Sequence, residues 1–199
     1  MSEAGGTPGA PKLRGPEARP AGGEDAESAW RAAFLRGPYL RDALMARGVF
    51  VETYESATTW DRMDELCAAV PRAARRALGP GGGEAIVACR VTHAYADGCA
   101  PYWTVIAPAR PGDEVAQADA VKEAITDAVL ASGGTCTHHH AVGRDVARHW
   151  RQEADPLFVR ALAAVKRDLD PAGVMNPGVL LADTDGREVA PGGAARTGP

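Results

Sequence analysis

The large apolar residues of this chain fall almost entirely between Ala29 and Leu181, and that confinement decides how much of its 199 residues can fold around a core. Met1 to about Ser28 is rich in Gly, Pro, Ala and charge, with almost no large apolar side chain. Asp183 to Pro199 repeats that character. Such segments bury too little apolar surface to offset the entropy of ordering, so residues 1–28 and 182–199 are expected to be disordered. Residues 29–181 then make one domain of ordinary size.

Within that stretch the apolar spacing alternates between helical and extended periods. Ala29 to Arg47 has helical spacing through Trp30, Phe34, Leu40 and Leu44, with an expected break at Gly37-Pro38. Gly48 ends it, and Val49 to Tyr54 is β-branched and aromatic, hence a strand. Thr58 or Thr59 can cap a helix from Trp60 to Leu78, with its stripe on Met63, Leu66, Val70 and Ala74 and a kink or division at Pro71. Gly79 to Gly83 predicts a flexible turn. Ala85 to Thr92 and Tyr102 to Ala107 are two strands joined around Asp97-Gly98, an antiparallel pair. Asp113 opens a helix to Leu130, Gly133-Gly134 stops it, and Thr135 to Thr137 is a short extended segment. Helices over about Val142 to Gln152 and Asp155 to Leu169 follow. The order strand, helix, strand, strand, helix, strand predicts an α+β, ferredoxin-like antiparallel sheet with helices on one face, plus C-terminal helices.

Composition narrows the function. A net charge of −4 without a basic patch argues against nucleic acid as a partner. No apolar run approaches the roughly 18 residues of a membrane span, and the polar N-terminus lacks a signal core, which points to a cytoplasmic setting. Cys67, Cys89, Cys99 and Cys136 lack paired spacing and are expected to be free thiols.

One string stands out chemically. His138-His139-His140 gathers three of the five histidines just after Gly133-Gly134, and imidazole is the side chain that exchanges protons near neutral pH. In an extended segment His138 and His140 share one face and His139 points away, so at most two could share an ion. Cys136 is near, but no Cys-x-x-Cys or His-x-x-x-His partner exists elsewhere, and no metal site is expected.

Tyr39-Leu40-Arg41-Asp42, Glu52-Thr53 with Thr59-Trp60-Asp61-Arg62, Cys89-Arg90-Val91-Thr92, the triplet followed by Ala141-Val142-Gly143, and Asp170-Pro171 before Asn176 together resemble the C-terminal part of alkylglycerone-phosphate synthases. These belong to the FAD-linked oxidases of the vanillyl-alcohol-oxidase type. The resemblance covers Ala29 to Leu181 and implies FAD as cofactor. It also implies a small or lipid-like anionic substrate, and exchange of an acyl for an alkyl group on dihydroxyacetone phosphate through a flavin adduct.

The same resemblance suggests roles. Arg41 falls at a substrate-binding arginine, where a guanidinium suits bidentate capture of a phosphate or carboxylate; on spacing alone it is an exposed helix residue paired to an acid. Tyr102 falls at the catalytic tyrosine, a phenol that exchanges a proton with the substrate; a lone strand tyrosine is otherwise packing. His138, His139 and His140 fall at an essential triplet near the flavin, where imidazoles shuttle protons or stabilise negative charge. Asn176 falls at a late asparagine approaching the flavin ring, though a turn residue before Pro177 is an equal reading.

The Gly-rich strand-and-loop segment that cradles a pyrophosphate in this family has no counterpart ahead of Ala29, and Gly79 to Gly83 follows a helix rather than leading into one. The chain is therefore expected to be the substrate-cap and C-terminal portion of a larger flavoenzyme. Its FAD-binding domain would be supplied elsewhere or by another chain, docked on an exposed apolar surface. Two other readings stay open. Asn176-Pro177-Gly178, and Ala141 where the synthase pattern has Gly, suit an FAD-dependent 2-hydroxy-acid dehydrogenase or oxidase of the D-lactate or glycolate type. The chain could also be an inactive fragment or partner-binding module.

Overall fold

The computed structural model describes residues 26–181, so the expectations for residues 1–25 and 182–199 lie outside the described part. The chain divides into two units between Arg41 and Asp42. The boundary falls within helix α1, Ala26–Met45, which starts inside the stretch expected to be disordered. Pro38 does not break α1.

The second unit is built on one antiparallel sheet. Strand β1 (Val49–Glu55) pairs with the long strand β4 (Gly98–Pro108), and the two-residue strand β2 (Thr58–Thr59) continues along the same edge of β4 past a bend at Ser56-Ala57. Strand β3 (Ile86–Ala94) lines the opposite edge of β4. A bulge between Val91 and His93 shifts the register, so that His93 rather than Thr92 lies opposite Ala100.

Alternation decides which side is core. Phe50, Tyr54, Trp103, Val105 and Ala107 face inward and are buried. Against them pack helix α2 (Met63–Leu78) through Leu66, Val70, Ala74 and Leu78, and helix α3 (Glu114–Ala131) through Val121, Ile125 and Val129. The expected i, i+4 stripe of α2 is thus the buried one, and Pro71 sits within a single helical element. Gln117 locks the turn between β4 and α3, donating to the Pro108 carbonyl (3.0 Å) and accepting from the Arg110 amide (2.9 Å). The antiparallel sheet with helices on one face follows the sequence expectation. Its other face holds Val51, Thr53, Arg90, Tyr102, Thr104 and Ile106, which are half-buried or exposed.

Elsewhere the details differ from the sequence reading. Thr135 to Thr137 forms no strand. It runs beside the bend after β1, where the Thr135 amide donates to the Ala57 carbonyl (2.9 Å) and Ser56 Oγ to the Thr135 carbonyl (2.7 Å). Side-chain anchors have replaced a ladder there. The helix expected from Val142 starts only at Ala147, as α4 (Ala147–Glu153). Asp155 caps α5 (Pro156–Leu169), accepting from the Leu157 and Phe158 amides. Gly79–Glu84 is a 3-10 turn rather than a flexible loop. All four cysteines are free, as expected, and burial pushes the Cys136 thiol up to about 12. Among the described residues no helix is long and apolar enough to cross a membrane.

Candidate functional site

The histidine run is shaped by the carboxylate it encloses. Glu55, the last residue of β1, lies opposite Tyr102 in the ladder, yet its side chain is 1% exposed. Its Oε1 accepts from Thr137 Oγ1 (2.8 Å) and from the successive backbone amides of His138 (2.6 Å), His139 (2.9 Å) and His140 (3.0 Å). Consecutive amides converging on one oxygen make an anion nest. Burial works against the charge, but the amides of His138, His140 and His139 with the Thr137 hydroxyl outweigh it and hold the carboxyl below its ordinary range.

The approach to the nest is fixed just as tightly. Gly133 takes φ +73 to end α3, and a Cβ on Gly134 would lie 2.9 Å from Val129 Cγ1, so both glycines are required by the turn. Tyr54 Oη donates to the Cys136 carbonyl (2.8 Å), and the Cys136 amide donates to Glu153 Oε2 (2.9 Å). After the triplet, Ala141 adopts φ +67, a left-handed conformation that favours glycine.

Wrapping a carboxylate turns the three rings differently from an extended strand. His138 Nδ1 and His139 Nδ1 lie 3.1 Å apart, and Tyr95 Oη is 3.1 Å from His138 Nε2. His93, from β3, packs its ring against both, with centroids 5.2 and 5.1 Å away. His140 instead meets Tyr102 edge to face at 5.6 Å, and the Arg90 guanidinium lies 4.5 Å over the Tyr102 ring. One nitrogen of each of His93, His138 and His139 lies within 4.8 Å of the others, close enough for a shared metal ion. This corrects the sequence argument against a metal site, which assumed an extended triplet and did not include His93.

The structure therefore gathers Tyr102, His138, His139 and His140 in one place. Asn176 lies in a turn with φ +49, its carbonyl accepting from the Val179 amide. That turn is tied to the loop after the triplet: the Leu180 amide donates to the Gly143 carbonyl (3.0 Å) and Arg144 Nη2 to the Pro177 carbonyl (2.7 Å). Arg41 is exposed on α1, in the first unit. Sequence reasoning missed Glu55, Arg90 and His93. The available signal was the hairpin itself, which returns Arg90 and His93 beside Tyr102 and Ala100.

Two stability measurements check this construction. The charge of Glu55 contributes stability above the unfolded carboxyl value of about 4.3, and the contribution is lost as pH falls through the lower folded value. Glu55→Gln should therefore cost about 1.5–3 kcal/mol at neutral pH in urea unfolding. The gap from wild type should close under acid conditions; a gap independent of pH would refute the charged nest. Ala141→Gly should stabilise by about 0.5–1 kcal/mol, because relief of the left-handed strain exceeds the added entropy of the unfolded chain.

Comparison with known proteins gives the chain its family. Residues 17–180 match the family described as FAD linked oxidases, C-terminal domain. The alkyldihydroxyacetonephosphate synthase of Caenorhabditis elegans is 33% identical over 166 residues, covering 80% of this chain and 27% of that protein. A probable mitochondrial D-lactate dehydrogenase of Danio rerio is 36% identical over 69 residues, 35% of this chain and 14% of that protein. A solved alkyldihydroxyacetonephosphate synthase structure shares the fold at TM-score 0.54 and 19% identity, covering 75% of this chain and 24% of that one. The chain thus spans about a quarter of the length of the synthases it matches. It belongs to the C-terminal domain family of the FAD-linked oxidases.

Proposed function

We propose that this chain supplies the substrate-facing part of an FAD-dependent enzyme that exchanges the acyl group of an acylated dihydroxyacetone phosphate for an alkyl group. The observation that carries the reading is the pairing of Tyr102 with His140 on the open face of the sheet, beside a triplet held by Glu55. Tyr102 moves the substrate proton, and His140 at its edge relays it to or from the solvent side. The amides that grip Glu55 position the triplet through its backbone rather than through its ring nitrogens. Within the second unit Arg90, over the Tyr102 ring, is the guanidinium assigned to the phosphate, and Arg41 of the first unit keeps only the substrate-binding role that the sequence resemblance implies.

The described residues fit the substrate side of a flavin pocket and not its nucleotide side. A Cβ on Gly82 would lie 1.9 Å from the Arg75 carbonyl oxygen, so the Gly-rich turn is packed onto α2 and forms no phosphate cradle. FAD, when bound, supplies the ring at which the exchange takes place. Its nucleotide would be held by another domain, on this polypeptide or another, with Asn176 approaching the ring from the turn beside Gly143. Exposed apolar residues offer that domain a surface: α5 leaves Leu157, Phe158, Val165 and Leu169 exposed and buries no residue.

The competing reading is oxidation of a 2-hydroxy acid, favoured by the match to the probable D-lactate dehydrogenase. A chimaera separates the two, with residues 29–181 replacing the corresponding segment of the Caenorhabditis elegans synthase. Acyl-for-alkyl exchange on acyl-dihydroxyacetone phosphate is expected, and Tyr102→Phe or His140→Ala should lower its kcat by about 100-fold or more. Oxidation of D-lactate without exchange would favour the dehydrogenase reading. A folded, FAD-loaded chimaera with neither activity would favour an inactive module.

A further inference from the structure

We propose that His93, His138 and His139 form a binding site for a divalent transition-metal ion of the zinc class, with Glu55 as its charge-balancing carboxylate. This inference does not depend on the synthase reading, since all four side chains belong to the second unit alone.

The first support is convergence. Three imidazoles from two distant parts of the chain each offer a nitrogen within 4.8 Å of the others. The His138 and His139 Nδ1 atoms are already 3.1 Å apart, against about 3.3 Å between neighbouring nitrogens around tetrahedral zinc. The second support is an orphaned atom. Glu55 Oε1 takes every hydrogen bond, while Oε2 is buried with no hydrogen-bond partner. Oε2 lies 3.2 Å from His139 Nδ1 and 3.7 Å from His138 Nδ1. A buried carboxylate oxygen facing two imidazoles, with nothing donating to it, is a place where a cation restores the balance.

The surroundings also set the rings. Thr92 Oγ1 donates to the Ala100 carbonyl (3.0 Å), so its lone pair is left to accept from His93 Nδ1, 3.1 Å away. That leaves His93 Nε2 unprotonated, as a metal ligand must be. Tyr95 Oη stands 3.1 Å from His138 Nε2, where it accepts that proton once Nδ1 is committed to the ion. Three nitrogen ligands select zinc, cobalt, nickel or copper over magnesium or calcium. They leave a fourth position for water or a substrate oxygen. His140 and Tyr102 stay outside the ligand set.

The test needs no flavin. The untagged full chain is stripped with EDTA, desalted and titrated calorimetrically with zinc chloride, and cobalt chloride is followed by its visible absorption. One ion per chain is expected. His93→Asn and His139→Asn, both at exposed positions and checked for folding by circular dichroism, should each bind more than about 100-fold more weakly. Tyr102→Phe should bind as wild type does. Absence of stoichiometric binding, or affinity unchanged in both histidine variants, would overturn the proposal.

Discussion

The carboxylate of Glu55 is the point on which the histidine-bearing end of the second unit is organised. A buried charge needs several donors to be tolerable, and the donors nearest the end of β1 are the amides of residues 138 to 140 with the Thr137 hydroxyl. Meeting that need draws the segment after α3 into a hook. The hook, rather than any ladder, fixes where three imidazoles point. Replacing strand pairing with side-chain anchors explains how a segment that lacks regular structure can still be positioned closely enough for chemistry.

The sheet contributes differently. Its inner face is saturated by α2 and α3, so Trp103 and Val105 are fully buried, while the outer face at the same register carries Tyr102 and Thr104. Strict alternation along β4 thus divides one strand between the core and the open face. A substitution at 103 acts on folding; one at 102 acts on the polar face.

Much of this was legible in the chain. The stripe Leu66, Val70, Ala74 is unambiguous at helical spacing, and the β-branched runs around Val49 and Val105 announce strands. The hidden parts share one cause, which is dependence on contacts distant in sequence. Thr135 to Thr137 has the composition of a strand, but its partners are the hydroxyls of Ser56 and Tyr54 and the carboxylate of Glu55, about eighty residues earlier. Glu55 itself looks like a polar residue at a strand end, and its burial follows only from the hook that closes over it. Pro38 and Pro71 carry the opposite lesson, since neither ended its helix.

The bulge on β3 changes the alternation of its own strand. In an unbroken ladder Thr92 would stand opposite Ala100 and His93 would turn toward the helices. One surplus residue reverses that parity beyond Val91, so the imidazole surfaces among the other histidines while the upstream strand keeps its own facing. A single surplus residue of backbone thereby works as an inverter: were the bulge drawn out with the sequence unchanged, Thr92 would take the place opposite Ala100 and the imidazole would leave that face.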